Sequence, residues 1–283
     1  ADQLRLVDDD ARRNTVRILN PLTEDQNVMR TSLVPGLVET AVRNIAHQIK
    51  DLKIFEIGKT FISRGIDNQP DESVILAALW TGARHESTWN RDTVPCDFYD
   101  IKGVLEGLLF GLRLAHIQFI RSEGRQAPYL RRGAAADIVI AGQRVGCLGE
   151  MHEAVLADFN LKQPAFLFEI DLDRLTHLIP DSLQAVPLPR YPSTSREITF
   201  IVDDDLEAQA VLLGIREKDH ELVEDVSIFD VFKGHPIPAG KKSLSLRVIY
   251  RSPRGTLEDE TVNTIHRELT HQLLTAFKAD LPS

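Results

Sequence analysis

Residues 243–250 read Ser-Leu-Ser-Leu-Arg-Val-Ile-Tyr, and this stretch decides the fold of the last third of the chain. Every second residue from Leu244 to Tyr250 is apolar, and the positions between them include Ser245 and Arg247. Apolar side chains with a period of two are typical of a β-strand that buries one face. The stretch therefore predicts a strand of an antiparallel sheet, with one face in a core and the other in water.

The residues on either side of this strand extend it into a small domain. In chain order, the predicted elements are a strand carrying Ile198, Phe200 and Val202, a helix from Leu206 to about Glu217, strands at about Leu222–Lys233 and Ser243–Tyr250, and a helix capped by Thr256 that ends near Phe277. The order β-α-β-β-α, with a possible short terminal strand, is that of a ferredoxin-like domain.

A proline cluster separates this domain from the residues before it. Pro180, Pro187, Pro189 and Pro192 favour extended, non-helical chain. We place the boundary near Ala185, which gives domains at residues 1–185 and 186–283. A chain of 283 residues is long enough for two domains of ordinary size.

The first domain has more strand patterns than helix patterns. Strands are predicted at Val16–Leu19, Ile54–Phe61, Val74–Thr81, Ile117–Arg121, Ala136–Ile140, Arg144–Leu148 and Phe166–Asp171, and helices at Leu33–Ile49 and Phe98–Leu112. Because few of the strands alternate one for one with helices, the pattern favours an α+β fold around a largely antiparallel sheet.

The composition is that of an ordinary folded protein, with 43% hydrophobic and 27% charged residues. No uncharged apolar run approaches the ~18 residues that cross a bilayer, and the first residues do not form a secretion signal, so we expect a cytoplasmic protein without membrane contact. Cys96 and Cys147 are expected to be buried apolar side chains.

The net charge of −9 argues against nucleic-acid binding over the whole surface, but the charge is distributed unevenly. Residues 203–230 contain ten acids and two bases, whereas residues 231–257 contain six bases and no acid. The six bases are Lys233, Lys241, Lys242, Arg247, Arg251 and Arg254.

The open face of a small ferredoxin-like sheet is a recurrent RNA-binding platform. Arg247 is predicted on that face and the other five bases at strand ends and in loops, an arrangement that suits contact with the RNA backbone. The acidic stretch is expected to lie around the first helix, away from these bases. An ordinary solvated charge run remains an equally good interpretation of the pattern.

Other chemistries lack their motifs. His85-Glu86 is not followed by a second histidine at metal-binding spacing, and His266 and His271 do not share a helix face, so we predict no metal site. A nucleophilic serine elbow is missing. The segment from Gly234 to Gly240-Lys241-Lys242-Ser243 resembles a phosphate-binding P-loop only in part, because its glycine spacing is wrong and a strand follows it.

Several short sequence motifs, dispersed along the chain, resemble in order and spacing the C-terminal half of the bacterial phenylalanyl-tRNA synthetase β-subunit family. The motifs are Asn20-Pro21-Leu22, Met29-Arg30-Thr31-Ser32-Leu33-Val34-Pro35-Gly36-Leu37, Phe55-Glu56-Ile57-Gly58-Lys59-Thr60-Phe61, Asp97-Phe98-Tyr99-Asp100-Ile101-Lys102-Gly103, Gly149-Glu150-Met151-His152, Phe229-Asp230-Val231-Phe232-Lys233-Gly234 and Gly240-Lys241-Lys242-Ser243-Leu244. Several motifs in one order are far more specific than any single motif.

The resemblance implies a class II synthetase-like, catalytically inactive domain at residues 1–185 and a ferredoxin-fold anticodon-binding domain at residues 186–283. It also implies that further modules precede residue 1. The whole enzyme of the family is an (αβ)2 heterotetramer that joins phenylalanine to tRNA-Phe with ATP and magnesium, with its active site on α. This chain is accordingly expected to bind no cofactor itself.

The predicted inactivity follows from two strands that correspond to class II motifs. An arginine of motif 2 and an arginine after the glycine-rich strand of motif 3 would hold ATP phosphates. Phe55-Glu56-Ile57-Gly58 contains no arginine, and Glu169-Ile170-Asp171-Leu172-Asp173-Arg174 replaces the glycine track with acidic and branched side chains. Carboxylates at this position would repel the phosphates.

The chain departs from the family pattern at two places. Where many members read His-Pro-Gly-Arg-Ser-Ala-Asp, this chain has Pro128-Tyr129-Leu130-Arg131-Arg132-Gly133-Ala134-Ala135-Ala136-Asp137, and where they read Arg-Arg-Asp it has Ser195-Arg196-Glu197. Arg196 is the only arginine of the Arg-Arg-Asp motif that this chain keeps. It is a candidate either for contact with an RNA phosphate or for an internal ion pair.

The sequence therefore predicts a non-catalytic part of phenylalanine–tRNA ligase, in which the first domain packs on α and the second binds the anticodon end of tRNA-Phe. The predicted tRNA contacts are Lys233, Lys241, Lys242, Arg247, Arg251, Arg254 and Arg196. An assembly module without RNA contact is the alternative. A nucleotide-dependent enzyme, based on Gly240-Lys241, ranks last.

Overall fold

The computed structural model describes residues 2–23, 27–65, 68–182, 185, 187–216 and 221–282. The chain divides into two compact units, residues 1–183 (unit 1) and 184–283 (unit 2). Residue 186, where the predicted second domain starts, lies outside the described residues.

Unit 1 is built on a six-stranded sheet in which all neighbouring strands are antiparallel. The strands are β1 (Leu52–Ile62), β2 (Asp71–Thr81), β3 (Ile117–Arg121), β4 (Leu130–Ile140), β5 (Gln143–Met151) and β6 (Ala165–Asp171), in the spatial order β1-β2-β6-β5-β4-β3. The helices are α1 (Val34–Ala46), α2 (Phe98–Gly111), α3 (Glu153–Asp158) and α4 (Leu172–Thr176), with single 3-10 turns at Asp2–Leu4 and Ala11–Arg13.

Helices cover both faces of this sheet, because alternate residues of its central strands belong to two different hydrophobic clusters. Leu79 of β2 and Leu167 of β6 pack with α1, whereas Trp80 and Phe168 on the opposite face pack with α2. Both cysteines are buried, as predicted. The antiparallel α+β prediction for unit 1 is confirmed.

The start of α2 shows why this segment forms a helix where it does. Asp97 precedes the first turn, and its Oδ1 accepts hydrogen bonds from the backbone N–H groups of Tyr99 (2.8 Å) and Asp100 (3.1 Å), while Asp100 accepts from the N–H of Asp97. This capping box satisfies N–H groups that a helix leaves without partners. Arg84 pairs with both carboxylates, so the loop before α2 is held on the cap.

Unit 2 contains β7 (Thr194–Asp203), α5 (Ala208–Arg216), β8 (Val223–Phe232), β9 (Lys241–Tyr250) and α6 (Asp259–Phe277). Its sheet order is β7-β9-β8, antiparallel throughout, and β9, the strand predicted from residues 243–250, is in the centre. Leu244, Leu246, Val248 and Tyr250 are fully buried with residues of both helices, and Arg247 is exposed on the opposite face. The predicted last strand is a single bridge between Ile201 and Asp280.

Two predictions differ most clearly from the structure. The strand expected at Val16–Leu19 is reduced to one isolated bridge between Arg17 and Val28. The last helix begins at Asp259 with Glu258 as its N-cap, so the prediction of a Thr256 cap was wrong. The predicted end of the unit 2 helix at Glu217 lies outside the described residues.

Among the described helices, none combines the length and the apolar character needed to span a bilayer.

Candidate nucleic-acid interface

The open face of the unit 2 sheet carries Arg247 in its centre. The guanidinium of Arg247 donates to Oε1 of Glu197 on β7 (2.7 and 3.0 Å) and lies over the ring of Phe229 on β8, 5.1 Å from the ring centroid. Arg247 is thus held between a carboxylate and an aromatic ring on a solvent-facing surface, a geometry that presents its remaining N–H groups outward.

Two further predicted bases are also exposed. Lys233 pairs with Asp204 (2.5 Å) and Arg254 with Glu221 (2.9 Å). In Lys233, Arg247 and Arg254, between 48% and 83% of the side-chain surface is exposed. We call these three the exposed bases.

The other four predicted bases have internal contacts that fix the fold. Lys242 donates to the carbonyl oxygens of Asp204 (2.8 Å) and Leu206 (2.6 Å), and Arg251 donates to the carbonyl of Tyr191 (2.5 Å) and to Glu224 (2.8 Å). Lys241 pairs with Asp280 (2.8 Å). We call Lys241, Lys242, Arg251 and Arg196 the anchored bases.

Arg196 belongs to this second group through α6. Its guanidinium donates to Oδ1 of Asp259 (2.6 Å) and to Oδ1 of Asn263 (2.9 Å), both in the first turns of the helix. Only about a quarter of the Arg196 side-chain surface is exposed. Of the two roles considered for Arg196, the internal ion pair is the one present in the structure.

The expectation that the acidic stretch lies away from the bases was wrong. Asp204, Glu221 and Glu224 all come from that stretch, and they pair with Lys233, Arg254 and Arg251. The hairpin of β8 and β9 explains this, because it folds the acid-rich strand directly beside the base-rich one.

Two aromatic residues of this face escaped the sequence analysis. Phe229 and Phe232 are each about half exposed on β8. A register shift between Ile228 and Asp230 places Phe229 outside the regular alternation, so the period-two pattern did not identify it. Phe232 pairs with Ser243 and therefore lies on the open face.

The loop between these strands does not form a phosphate cradle of the P-loop type. Gly234 and Gly240 adopt left-handed backbone angles (φ of 110° and 79°), and Lys241 starts β9 rather than a helix. Without a following helix N-terminus, the chain lacks the N–H groups that hold a phosphate in a P-loop.

Unit 1 contains a cavity of about 760 Å³ whose lining includes Glu169, Tyr129, Ser32 and Cys147. The carboxylate of Glu169 accepts hydrogen bonds from the hydroxyl of Tyr129 and from Oγ of Ser32 (3.1 Å). Burial raises the pKa of Tyr129 well above its ordinary value and that of Cys147 to about 11. These groups are therefore neutral hydrogen-bonding partners near pH 7 rather than nucleophiles.

Arg12 forms the edge of the same cavity. It donates to both carboxylate oxygens of Asp10 (2.9 and 2.7 Å) and to the carbonyl of Gln126 (2.7 Å), and it lies 5.7 Å from the ring centroid of Tyr129. The hydrogen bonds from Arg12 lower the pKa of Asp10 below its ordinary value.

The residues compared with motif 3 lie on β6 and in α4, and β5 pairs directly with β6. A Cβ at Gly146 of β5 would lie 2.1 Å from the carbonyl oxygen of Glu169, so the two strands are in contact. Arg174 pairs with Asp171 (3.1 Å), and Asp173 accepts from the backbone N–H of Val74 (2.9 Å). Within the described part of the chain, no group of three His, Cys, Asp or Glu side chains is arranged to hold a metal ion.

Two family models match the chain along its length. One is described as the phenylalanyl tRNA synthetase beta chain CLM domain and matches residues 1–172. The other is the ferredoxin-fold anticodon binding domain and matches residues 189–282. The first match alone covers more than half of the chain.

The chain belongs to the phenylalanyl-tRNA synthetase β-chain family. The ferredoxin-like prediction for unit 2 is confirmed by the second match and by the observed strand order.

Curated relatives carry the same family name. The chain is 38% identical over 280 residues to the phenylalanine–tRNA ligase beta subunit of Syntrophotalea carbinolica, an alignment that covers 99% of this chain and 35% of the relative. It is 40% identical over 274 residues to that of Syntrophus aciditrophicus, covering 97% and 34%. The chain thus spans about a third of the length of these relatives.

One solved structure is similar at low identity. It is the pyrrolysyl-tRNA synthetase from Desulfitobacterium hafniense, which matches with 14% identity and a TM-score of 0.44 over 65% of this chain and 63% of that one.

Proposed function

We propose that this β-chain portion serves phenylalanine–tRNA ligase without an active site of its own, and that unit 2 binds the anticodon region of tRNA-Phe. One observation carries the RNA contact: Arg247 stacks on Phe229 in the centre of the open sheet face, with Phe232 exposed on the same face. Aromatic rings and guanidinium planes are the groups on which unpaired RNA bases stack.

The ion pairs of this face do not oppose the proposal. The Arg247–Glu197 pair is about half exposed on both sides, and such surface pairs contribute only about 0–1 kcal/mol. A phosphate can therefore replace Glu197 at Arg247 at little cost. The same argument applies to Lys233 and Arg254, so the exposed bases are the proposed phosphate contacts, whereas the anchored bases hold the fold that presents them.

For unit 1 we propose a scaffold role against the α subunit of an (αβ)2 enzyme in the cytoplasm. ATP and magnesium would act on α, since Glu169, Asp171 and Asp173 place carboxylates along the strand that would face a nucleotide. Phe55 and Ile57 support a protein contact, because both are largely exposed on β1, the edge strand of the sheet.

The test is a binding titration of the 283-residue chain with tRNA-Phe and with an unrelated tRNA at several salt concentrations. With three phosphates engaged, the logarithm of the affinity should fall with the logarithm of the salt concentration with a slope of about −2. Phe229→Ala and Arg247→Ala should each weaken binding about tenfold or more, since base stacking and a charged hydrogen bond are both lost.

Arg267→Ala is the matched control, because Arg267 is an exposed arginine of α6, on the side of the sheet opposite to Arg247. Equal losses of affinity for tRNA-Phe in Arg267→Ala and Arg247→Ala would contradict the proposed interface. So would a dependence of affinity on salt concentration with a slope near zero.

The pairing of every predicted base with a protein acid or carbonyl favours a second candidate, an assembly module without RNA contact. In that case the chain would bind neither tRNA at low salt. The wild-type chain and Arg247→Ala would then both fail to bind RNA. The substitution would change only the association with α, measured by co-purification.

A further inference from the structure

A second cavity of unit 1, far smaller than the one beside Glu169, is lined by bases and by no acid. Its volume is about 410 Å³. The lining consists of Arg5, Arg131, Arg132 and His152, with Gly124, Pro128 and Leu130 completing the wall.

The charges of these arginines are only partly compensated. Arg131 pairs with Glu150 through one Nη group, and Arg5 lies 3.9 Å from Asp158, which is beyond hydrogen-bond distance. Arg132 forms no side-chain hydrogen bond or ion pair with any residue that the structure describes. The cavity therefore holds a guanidinium without a counter-charge beside two whose donors are mostly unused.

Strand β4 is irregular at this point, and the irregularity brings the arginines to the cavity. Leu130 pairs with Met151 and Ala135 with Gly149, so five residue steps on β4 face two on β5, and three extra residues bulge out between them. Such bulges redirect side chains near functional sites. The bulge contains Arg131 and Arg132.

The opposite wall is shaped around Arg132. Gly124 has φ of 81°, and a Cβ placed there would lie 3.3 Å from Nε and 3.5 Å from Cγ of Arg132, so this glycine leaves room for the guanidinium stem. Arg5 also adopts a left-handed backbone angle (φ of 54°), which costs a non-glycine residue free energy.

His152 adds a ring N–H donor. Its Nδ1 accepts a hydrogen bond from the backbone N–H of Ala154 (3.1 Å), so in the neutral ring the proton is on Nε2, which can donate. Planar guanidinium forks and an imidazole N–H match the acceptor oxygens of a phosphate group.

We propose that this cavity binds a phosphate group, either of a free phosphate compound or of an RNA backbone, through Arg132, Arg131 and Arg5 with His152 as a further donor. The site lies in unit 1 and is separate from the RNA interface proposed for unit 2. Its existence does not depend on that interface.

The test uses pyrophosphate as the probe and the whole 283-residue chain in a calorimetric titration at low salt. The wild-type chain should bind about one pyrophosphate saturably, and Arg132→Ala should weaken binding about tenfold or more. Because Arg132 has no described partner, its removal should leave the tryptophan fluorescence of unit 1 unchanged. Arg91→Ala, in an exposed loop of the same unit, is the control and should bind as the wild type does.

Two results would overturn the site: no saturable binding by the wild-type chain, or equal weakening in Arg132→Ala and Arg91→Ala. The source of the phosphate follows from a competition with a short uridine oligonucleotide. Displacement of pyrophosphate from the wild-type chain and from Arg247→Ala would identify an RNA phosphodiester, whereas retention would identify a free phosphate compound. Failure of the unit 2 proposal would appear separately, as Arg247→Ala binding tRNA-Phe normally.

Discussion

The cavity beside Glu169 in unit 1 and the open sheet face of unit 2 use the same kinds of residues in opposite ways. Arg12 and Asp10 are 18% and 11% exposed, and Arg12 is also bonded to Gln126 and stacked on Tyr129. Arg247 and Glu197 are 48% and 52% exposed, and the ring beside Arg247 is open to solvent. Both places combine an arginine, a carboxylate and an aromatic ring.

The difference in burial decides what each arrangement can do. Removing a partner from a buried pair leaves a charge without compensation, so such a pair is fixed in place. An exposed pair is screened by water and salt and exchanges partners readily. The first arrangement therefore holds a fold together, and the second is available to a ligand.

The largest expected effect comes from breaking the buried arrangement. Arg12→Ala should lower the free energy of unfolding of unit 1 by about 2–3 kcal/mol, because Asp10 loses its partner and Tyr129 loses its packing. Both tryptophans of the chain, Trp80 and Trp89, lie in unit 1, so urea unfolding followed by tryptophan fluorescence reports on this unit. An unchanged urea midpoint in Arg12→Ala would mean that the buried pair contributes no more to stability than the exposed pair does.

A smaller effect is expected from the hydroxyl of Tyr129. Tyr129→Phe takes one hydrogen bond from the carboxylate of Glu169 and should cost about 1–2 kcal/mol in the same assay. Tyr99→Phe is the control, since Tyr99 is largely exposed on α2. Equal stability of the two variants would mean that water replaces the lost hydroxyl.

Acid should act on the buried pair with a defined sign. The pKa of Asp10 is lowered in the folded chain, so its contribution to stability is present above the unfolded value near 4 and is lost as the pH falls through the folded value. Between about pH 5 and about pH 3, Asp10→Asn should therefore lose less stability than the wild type does. Equal losses of stability in Asp10→Asn and in the wild type over this pH range would show that other carboxylates account for the acid sensitivity.

The smallest stability change is expected on the exposed side. Glu197→Gln should alter the free energy of unfolding by less than about 0.5 kcal/mol. It should nevertheless raise the affinity for tRNA-Phe several-fold, because a phosphate no longer has to displace the carboxylate of Glu197 from Arg247. Glu268→Gln, an exposed acid of α6, should leave the affinity as it is. A loss of affinity in Glu197→Gln would show that Glu197 positions Arg247 for the RNA rather than competing with it.

Periodicity predicted most of the elements because burial of one face imposes it. Ile117–Arg121 was predicted with the bounds that β3 has, and residues 243–250 alone predicted most of β9. The start of α6 was missed by two residues, because Asp259 and Asn263 are held by Arg196 from a distant strand, a contact that local pattern does not contain.

The chemistry of the open face was less predictable than its strands. The sequence identified Arg247 but not its stacking on Phe229, since that contact depends on a register shift in β8. It also separated acids from bases along the chain, although the β8–β9 hairpin and the neighbouring turns bring them together as Arg254 with Glu221 and Lys233 with Asp204. Pairing across strands is a property of register, which composition does not reveal.

Among the residues that the structure describes, only the bridge between Ile201 and Asp280 adds to the outer edge of β7, and most of that edge has no fourth strand. A long bare edge of this kind is a template on which a second chain can add a strand, and hence a starting point for aggregation. Arg196 and Glu197 place opposite charges in the middle of β7, and the pair of Lys241 with Asp280 fastens the chain end to the neighbouring central strand. Asp280 thus covers part of an edge on which a second chain could otherwise add a strand.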